Sequence, residues 1–339
     1  ANKLVSIKDG WGSVTDIKYQ FLTWPKDRFD GNDFYTVGTE ATYPLCDLSV
    51  PLSCVSRVVL PDGLGGSSTN EYSYTGLLGH IQKGMLGFTS EQVINSTANS
   101  RMLSATQYNG EYGLPTYTVT ENQTLSLGDV MEKTECWLSN TKNGRVYTSQ
   151  PFVTVHTNLL TGVTTTTDQY SYDAWGNPTY QRTMNQDFSE VKQCYYSQVG
   201  PWSWCPNKVD SIITVRGIEN LAGYDEITRK ESREYDTKGN LIAVVTDPSD
   251  VNALRTAYKD INDFGLPETI EVTANGVTRR STIEYTPSGR FVLSKTNSLG
   301  ETKTFDWDEA RGLLDSESTR LGTTSYTYDG LGRLAHTLY

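Results

Sequence analysis

Between Glu268 and Leu334 the chain alternates apolar or β-branched residues with polar ones in short runs: "TIEV", "STIEY", "FVLSKT", "TKTFDW" and "TSYTY". A period of two sends successive side chains to opposite faces, so each run predicts a strand with one drier and one wetter face. Glycines at 276, 289, 300, 312, 322 and 332 separate the runs, in steps of 13, 11, 12, 10 and 10 residues. One strand plus one turn fills that length and leaves no room for a crossover helix, which predicts hairpin after antiparallel hairpin. Asn275-Gly276 is the clearest turn, because a type I′ hairpin needs positive φ at both central residues.

A longer period is carried by aromatics. "EYDTKGNL" from Glu234, "EYTPSGRF" from Glu284, "DWDEARGLL" from Asp306 and "YDGLGRL" from Tyr328 share one frame. An aromatic closes a strand, usually Asp follows, then linkers, Gly, and Arg or Asn before an apolar residue. Tyr285 and Trp307 are 22 residues apart and Trp307 and Tyr328 are 21 apart, whereas Tyr235 and Tyr285 are 50 apart. A degenerate copy, "AYKDINDFGLPETI", fills that gap with Tyr258 in the aromatic place. "YSYDAWGNPTY" (170–180) matches well upstream, and "TQYNGEYGLPTYTV" from Thr106 matches loosely. The frame assigns repeat-motif roles to Tyr172, Asp173, Gly176, Tyr235, Asp236, Gly239, Tyr285, Gly289, Trp307, Gly312, Tyr328, Asp329 and Gly332. Asp caps a turn through its side chain, Gly supplies the left-handed residue, and the aromatic packs across strands. A recurrence near 21 residues marks an array.

Composition fits thin sheets. Counted with Gly in place of Tyr, the apolar share of the 339 residues is about 38%, below the roughly 45–50% of an average domain. Forty acidic against 29 basic residues, net −11, leave nothing to neutralise a nucleic-acid backbone. No stretch approaches the roughly 18 apolar residues of a membrane span. The opening "ANKLVSIKDGWG" has no apolar core of a signal peptide, so a leader is expected to have been removed or to lie upstream. Of the five cysteines, Cys46 and Cys54 ("CDLSVPLSC") and Cys194 and Cys205 ("CYYSQVGPWSWC") flank Pro-containing turns and are candidates for local disulfides in an oxidising compartment. Cys136 has no evident partner, and buried free thiols are the alternative.

Candidate chemistry is sparse. His80, His156 and His336 fall in no metal or triad motif, and no phosphate-binding fingerprint occurs. "PDGLGGSS" (61–68) reads as a turn and "FVTVHTN" places His156 on a strand face. The cluster Asp27, Asp30, Asn32 and Asp33 reads as a solvated loop, lacking the spacing of a calcium loop. Asp173, Asp236, Asp306 and Asp329 recur with the frame, as turn caps do, whereas a catalytic pair is needed once. The expectation is no enzyme, no cofactor and no metal. Trp202 and Trp204 in "GPWSWC" form a candidate platform for a sugar ring. "NST" at Asn95 and "NQT" at Asn122 are glycosylation sequons in a eukaryotic secretory host.

At "YSYDAWGNP", "EYDTKGNL" and "SYTYDGLGRL" the chain resembles the RHS/YD-repeat family. "LVSIKDGWGSVTDIKYQFLT" and "VVLPDGLGGSSTNEYSYTGLLGHIQKGMLGF" are similar to the middle region of SpvB-like and toxin-complex B-component proteins, with Tyr72, Tyr74, Gly84, Leu86, Gly87 and Phe88 on the pattern. The family's usual "GRGFLGF" stands here as "QKGMLGF". The resemblance implies an all-β fold: an irregular β-rich segment over 1–100, then YD hairpins over 101–339 that form a continuous curved sheet, part of a hollow shell. It further implies a secreted or cell-surface protein whose shell encloses a toxin domain downstream in its own polypeptide, with other toxin-complex subunits as partners. The hairpins are too few to close a shell and no plug or autoproteolytic segment follows, so the chain is expected to be a fragment of a longer protein. The alternative is a cell-surface or carbohydrate-binding module using exposed Trp and Tyr.

Overall fold

The computed structural model describes residues 3–10, 12–24, 33–63, 65–196, 207–217 and 226–339. Among them every regular element is a β-strand, so the fold is all-β and, but for one short parallel contact, antiparallel. No helix is long and apolar enough to cross a membrane. The chain forms two compact units, Ala1–Tyr170 with Arg182–Phe188, and Ser171–Gln181 with Ser189–Tyr339. The segment boundary expected near residue 100 falls at the hairpin joining two paired strands, Gly84–Asn95 and Ser100–Tyr108.

In the first unit, Ser6–Lys8, Val14–Phe21, Ser53–Pro61, Ser67–His80, Gly84–Asn95, Ser100–Tyr108, Pro115–Thr124, Val130–Asn143 and Val146–Asn158 each pair with the next. The one excursion lies between Phe21 and Ser53. Its short strands Tyr35–Thr36 and Leu45–Asp47 lie against the far half of Ser67–His80, the former in parallel. They bring Leu22, Phe34 and Tyr35 onto Leu77, with Leu48, Val50, Leu52, Cys54, Tyr74 and Phe88 packed around them. The Phe34 and Tyr74 rings meet edge-on at 5.6 Å. Tyr35 takes the Leu77 N–H at 3.1 Å and gives its hydroxyl proton to the Leu48 carbonyl at 2.9 Å, so its buried oxygen is satisfied from both sides.

Seven hydrophobic side chains are buried among the described residues, and five of them (Leu22, Phe34, Tyr35, Leu77 and Leu78) belong to this packed corner or border it. Elsewhere most strand side chains are half-buried and few, such as Ala243 and Ile283, are fully covered, so the ladder and its turns carry much of the structure.

The corner also corrects a sequence expectation. Cys46 and Cys54 are free thiols. Cys46 is opposite Gly79 and Cys54 opposite Gln20, so each is committed to a different ladder partner. Burial, then the charge of Glu91, pushes the Cys54 thiol above its ordinary range, as expected of an inert core thiol.

The second unit is a plain meander. Its strands are Ser189–Tyr196, Val209–Gly217, Ile227–Tyr235, Leu241–Thr246, Leu254–Ile261, Pro267–Ala274, Val277–Tyr285, Val292–Thr296, Thr302–Asp308, Leu313–Thr319, Gly322–Tyr328 and Leu334–Leu338. Each pairs with the next. The pairing is set by period-two patterning, and one face carries a ladder of hydroxyls. Thr273 with Thr278, Thr296 with Thr302, and Ser318 with Thr323 each meet at 2.8 Å. The Asn275-Gly276 hairpin has φ of 50° and 73° at its two central residues, the left-handed pair that the sequence predicts.

Candidate functional site

The repeated site is the five-residue turn that follows a strand-closing aromatic. At Asp329 the backbone N–H donates to the Arg333 carbonyl at 2.9 Å, and the Gly332 N–H returns to the Asp329 carbonyl at 3.0 Å. One carboxylate oxygen accepts the N–H groups of Leu331 and Arg333, and the other accepts Arg333 Nε at 2.7 Å. Gly332 sits at φ 77°, where a side chain is strained. Asp173 and Asp236 repeat the pattern, with Asn177 and Asn240 amides on the outer oxygen at 2.9 and 2.8 Å. A turn built this way consumes its own donors and acceptors, so it needs no core beneath it.

These bonds set the charge state. Burial alone raises the Asp173 and Asp236 carboxyls, but the Asn side-chain amides and the turn N–H groups outweigh it and hold both below the usual carboxylate range. The Arg333 N–H and guanidinium lower Asp329 in the same way. Each carboxylate is occupied within its own turn.

Aromatics that close strands act on the neighbouring strand. Tyr196, Tyr235, Tyr285 and Tyr328 donate their hydroxyls to the carbonyls of Pro178, Val209, Pro267 and Leu314 at 3.0, 2.9, 3.0 and 2.7 Å. Trp307 makes the same hook through Nε1 to Val292 at 2.8 Å. Every acceptor lies at or just after the start of the preceding strand. The ladder shifts register at each of these aromatics, a bulge that turns the ring aside. Turns also stack on one another. The Phe264 ring lies over Gly289, and the Phe291 and Trp307 rings stack at 4.9 Å.

The structure thus brings together Tyr235, Asp236 and Gly239; Tyr285 and Gly289; Trp307 and Gly312; and Tyr328, Asp329 and Gly332, as the frame requires. Tyr172 directly precedes the Asp173–Gly176 turn. Two assignments shift. In the Trp307 copy the cap is Asp308, whose carboxylate takes the Ala310 and Arg311 N–H groups, while Asp306 faces Ser316 within the ladder. In the degenerate copy Asn262 caps the turn and Ile261 holds the place before it, with Tyr258 further back opposite Ile270. At the Tyr285 copy Thr286 replaces Asp, closing onto Phe291 one residue later.

Sequence reasoning missed that the same turn occurs in the first unit. Asp9 receives Ser13 N–H at 2.8 Å and Asp62 receives Gly66 N–H at 2.8 Å, with Gly12 and Gly65 at φ 84° and 94°. The available signal was the spacing of "DGWGS" and "DGLGG", equal to that of "DGLGR".

Cys194 carries a free thiol; Cys205, Trp202 and Trp204 lie outside the described residues, as does most of the acidic stretch 27–33. His156 meets Thr134 across strands at 3.0 Å. Buried His80 accepts the Gln82 N–H at Nδ1 and faces the Gly110 carbonyl through Nε2, which makes it the Nε2–H tautomer and a structural bridge between loops.

No family model matches the chain, and neither does any curated protein. Solved structures do. The crystal structure of TcdB2-TccC3 without its hypervariable C-terminal region aligns with 96% of this chain at a TM-score of 0.54 and 10% identity. TcdB2-TccC3 with that region present aligns with 96% at a TM-score of 0.53 and 11% identity. This chain has the TcdB2-TccC3 fold. It spans 24% of the length of those chains. The TcdB2-TccC3 fold is the one that the YD-repeat resemblance implies. Identity so low is compatible with it because the turn asks only for Asp or Asn, one Gly and an aromatic hook, and leaves the other strand positions free to vary.

Proposed function

We propose that this chain is a non-catalytic wall segment of a secreted, RHS/toxin-complex-like β-shell. The shell encloses and delivers a toxin domain encoded downstream, and other toxin-complex subunits are its partners. The observation that carries the reading is the repeated turn and hook. It lets a sheet grow by one hairpin at a time without a second layer, which is what a thin wall demands. The likeness to TcdB2-TccC3 supports it, since that protein has a hypervariable C-terminal region, the place this reading gives to a toxin domain. In this reading the wall works by excluding protease and solvent while making few specific contacts with what it holds.

The test is to produce the parent polypeptide with its flanking sequence and follow proteolysis of the downstream region. Protection that disappears when the hairpins are unfolded is expected. Digestion at the rate of the isolated downstream region would overturn the proposal.

A second reading, carbohydrate binding, draws on an open cavity of about 460 Å³ lined by Tyr180, Tyr195, Tyr196, Gln193 and Ser171. In the sequence, Tyr196 is followed within eight residues by Trp202 and Trp204. Tryptophan quenching by sugars, with the melting temperature unchanged or raised, tests it; no quenching removes it.

A further inference from the structure

On the turn edge opposite the Asp caps, the hairpins at 297–301 and 319–322 enclose a cavity of about 710 Å³. Its lips are Leu299 and Leu321, which are 82% and 91% exposed. Its walls carry Lys295, Lys303 and Arg320 against the single carboxylate of Glu301. Lys295 and Lys303 are direct cross-strand partners, an arrangement of like charges that destabilises a ladder. Lys303 is offset by Glu317 at 2.7 Å. Glu301 is held by the Asn297 amide at 2.8 Å. Lys295 and Arg320 have no carboxylate partner among the described residues. The lips are rigid. Asn297 caps its turn through the Leu299 and Glu301 N–H groups, and Thr319 Oγ1 accepts the Leu321 N–H.

A chain of net charge −11 therefore concentrates surplus positive charge at one aliphatic cleft and spends ladder stability to do so. We infer that this cleft binds an acidic peptide segment, one that sets an aliphatic side chain between Leu299 and Leu321 and its carboxylates on Lys295 and Arg320. The complementary signs select the occupant: a basic or neutral segment would leave both cations desolvated and unpaired. The open mouth between two hairpin tips admits a main chain lying across it. The inference does not depend on the shell reading.

The experiment uses the full chain with leucine methyls labelled for NMR, titrated with the blocked tetrapeptide DLLD and, in parallel, with KLLK. DLLD is expected to shift the Leu299 and Leu321 methyls with an affinity that falls as salt rises, and KLLK to leave them in place. Arg320→Glu should weaken DLLD at least tenfold, and Leu321→Ser should do so with the salt dependence retained. Methyl spectra of Leu241 and Leu266, in other hairpins of the same unit, establish that each variant is folded. Equal binding of both peptides, no binding of DLLD, or an unchanged affinity in Arg320→Glu overturns the assignment. So does binding of phosphatidylserine vesicles through the same methyls in the absence of DLLD binding.

Discussion

The Tyr328 hydroxyl donates to the Leu314 carbonyl at 2.7 Å, beside the bulge between Thr327 and Tyr328 in the ladder. The bond joins the end of one strand to the start of the strand before it, so it resists splaying of that hairpin at its open end, away from the 319–322 turn. Tyr328→Phe keeps the ring and removes the bond, and should cost about 1 kcal/mol in urea unfolding. Trp307→Ala removes a hook and the Phe291 stack together. Because the indole is half-buried, its cost should fall below the roughly 3–5 kcal/mol of a fully buried ring. A Phe variant as damaging as an Ala variant would mean that the hydroxyl carries everything.

Gly289 separates two demands made on turn glycines. It lies at φ 68°, and a Cβ there would come within 2.2 Å of the Phe264 ring. Gly276 lies at φ 73° with open space around it. Gly276→Ala should cost roughly 1–2 kcal/mol, the backbone term alone. Gly289→Ala should cost more, and Phe264→Ala in the same chain should recover part of the difference. Thermal melts of the three variants check this.

The turn carboxylates predict acid lability with a definite sign. Asp173, Asp236 and Asp329 all have folded-state carboxyls held below their ordinary range. A depressed folded value means that the contribution is fully present above the unfolded value near ~3.9 and is lost as pH falls through the folded one. The melting temperature should therefore drop steeply below about pH 4. Asp236→Asn should flatten part of that acid limb. A limb unchanged in this variant would place the acid sensitivity elsewhere.

Arg255 reaches Glu234 with two bonds, 2.5 and 2.8 Å, spanning Leu241–Thr246, the strand that carries Ala243 between them. The pair is nearly half exposed, so Glu234→Gln should cost less than about 1 kcal/mol. Ala243 is fully buried beneath it. Ala243→Leu should cost about 1–3 kcal/mol by overpacking and should separate Arg255 from Glu234. Chemical denaturation with a double-mutant cycle distinguishes the two effects.

Much of this was legible in the residues. The Asn275-Gly276 hairpin and the turns at Gly289, Gly300, Gly312 and Gly332 follow from short-range demands on φ, which a local sequence states directly. The site was legible as a frame and less so in detail. Asp308 outranks Asp306 because the cap must sit one place after the aromatic, beyond the bulge, and a bulge has no sequence letter. Ile261 in place of Tyr258 follows from the same rule, since the turn is counted back from Asn262 and Gly265. The Asp9 and Asp62 turns escaped notice because no aromatic stands immediately before either of them.

Strand period, turn spacing and the Asp-to-Gly interval belong to the sequence, because each is settled within about five residues by sterics and hydrogen bonding. Which carbonyl each aromatic takes, which turn glycine lies under a neighbouring ring, and which thiols stay free were decided only in the tertiary structure. Tyr285 and Pro267, Phe264 and Gly289, and Leu77 and Phe34 are remote in the chain. Their meeting depends on register accumulated through the ladder, and one bulge more or less would send each side chain to the other face.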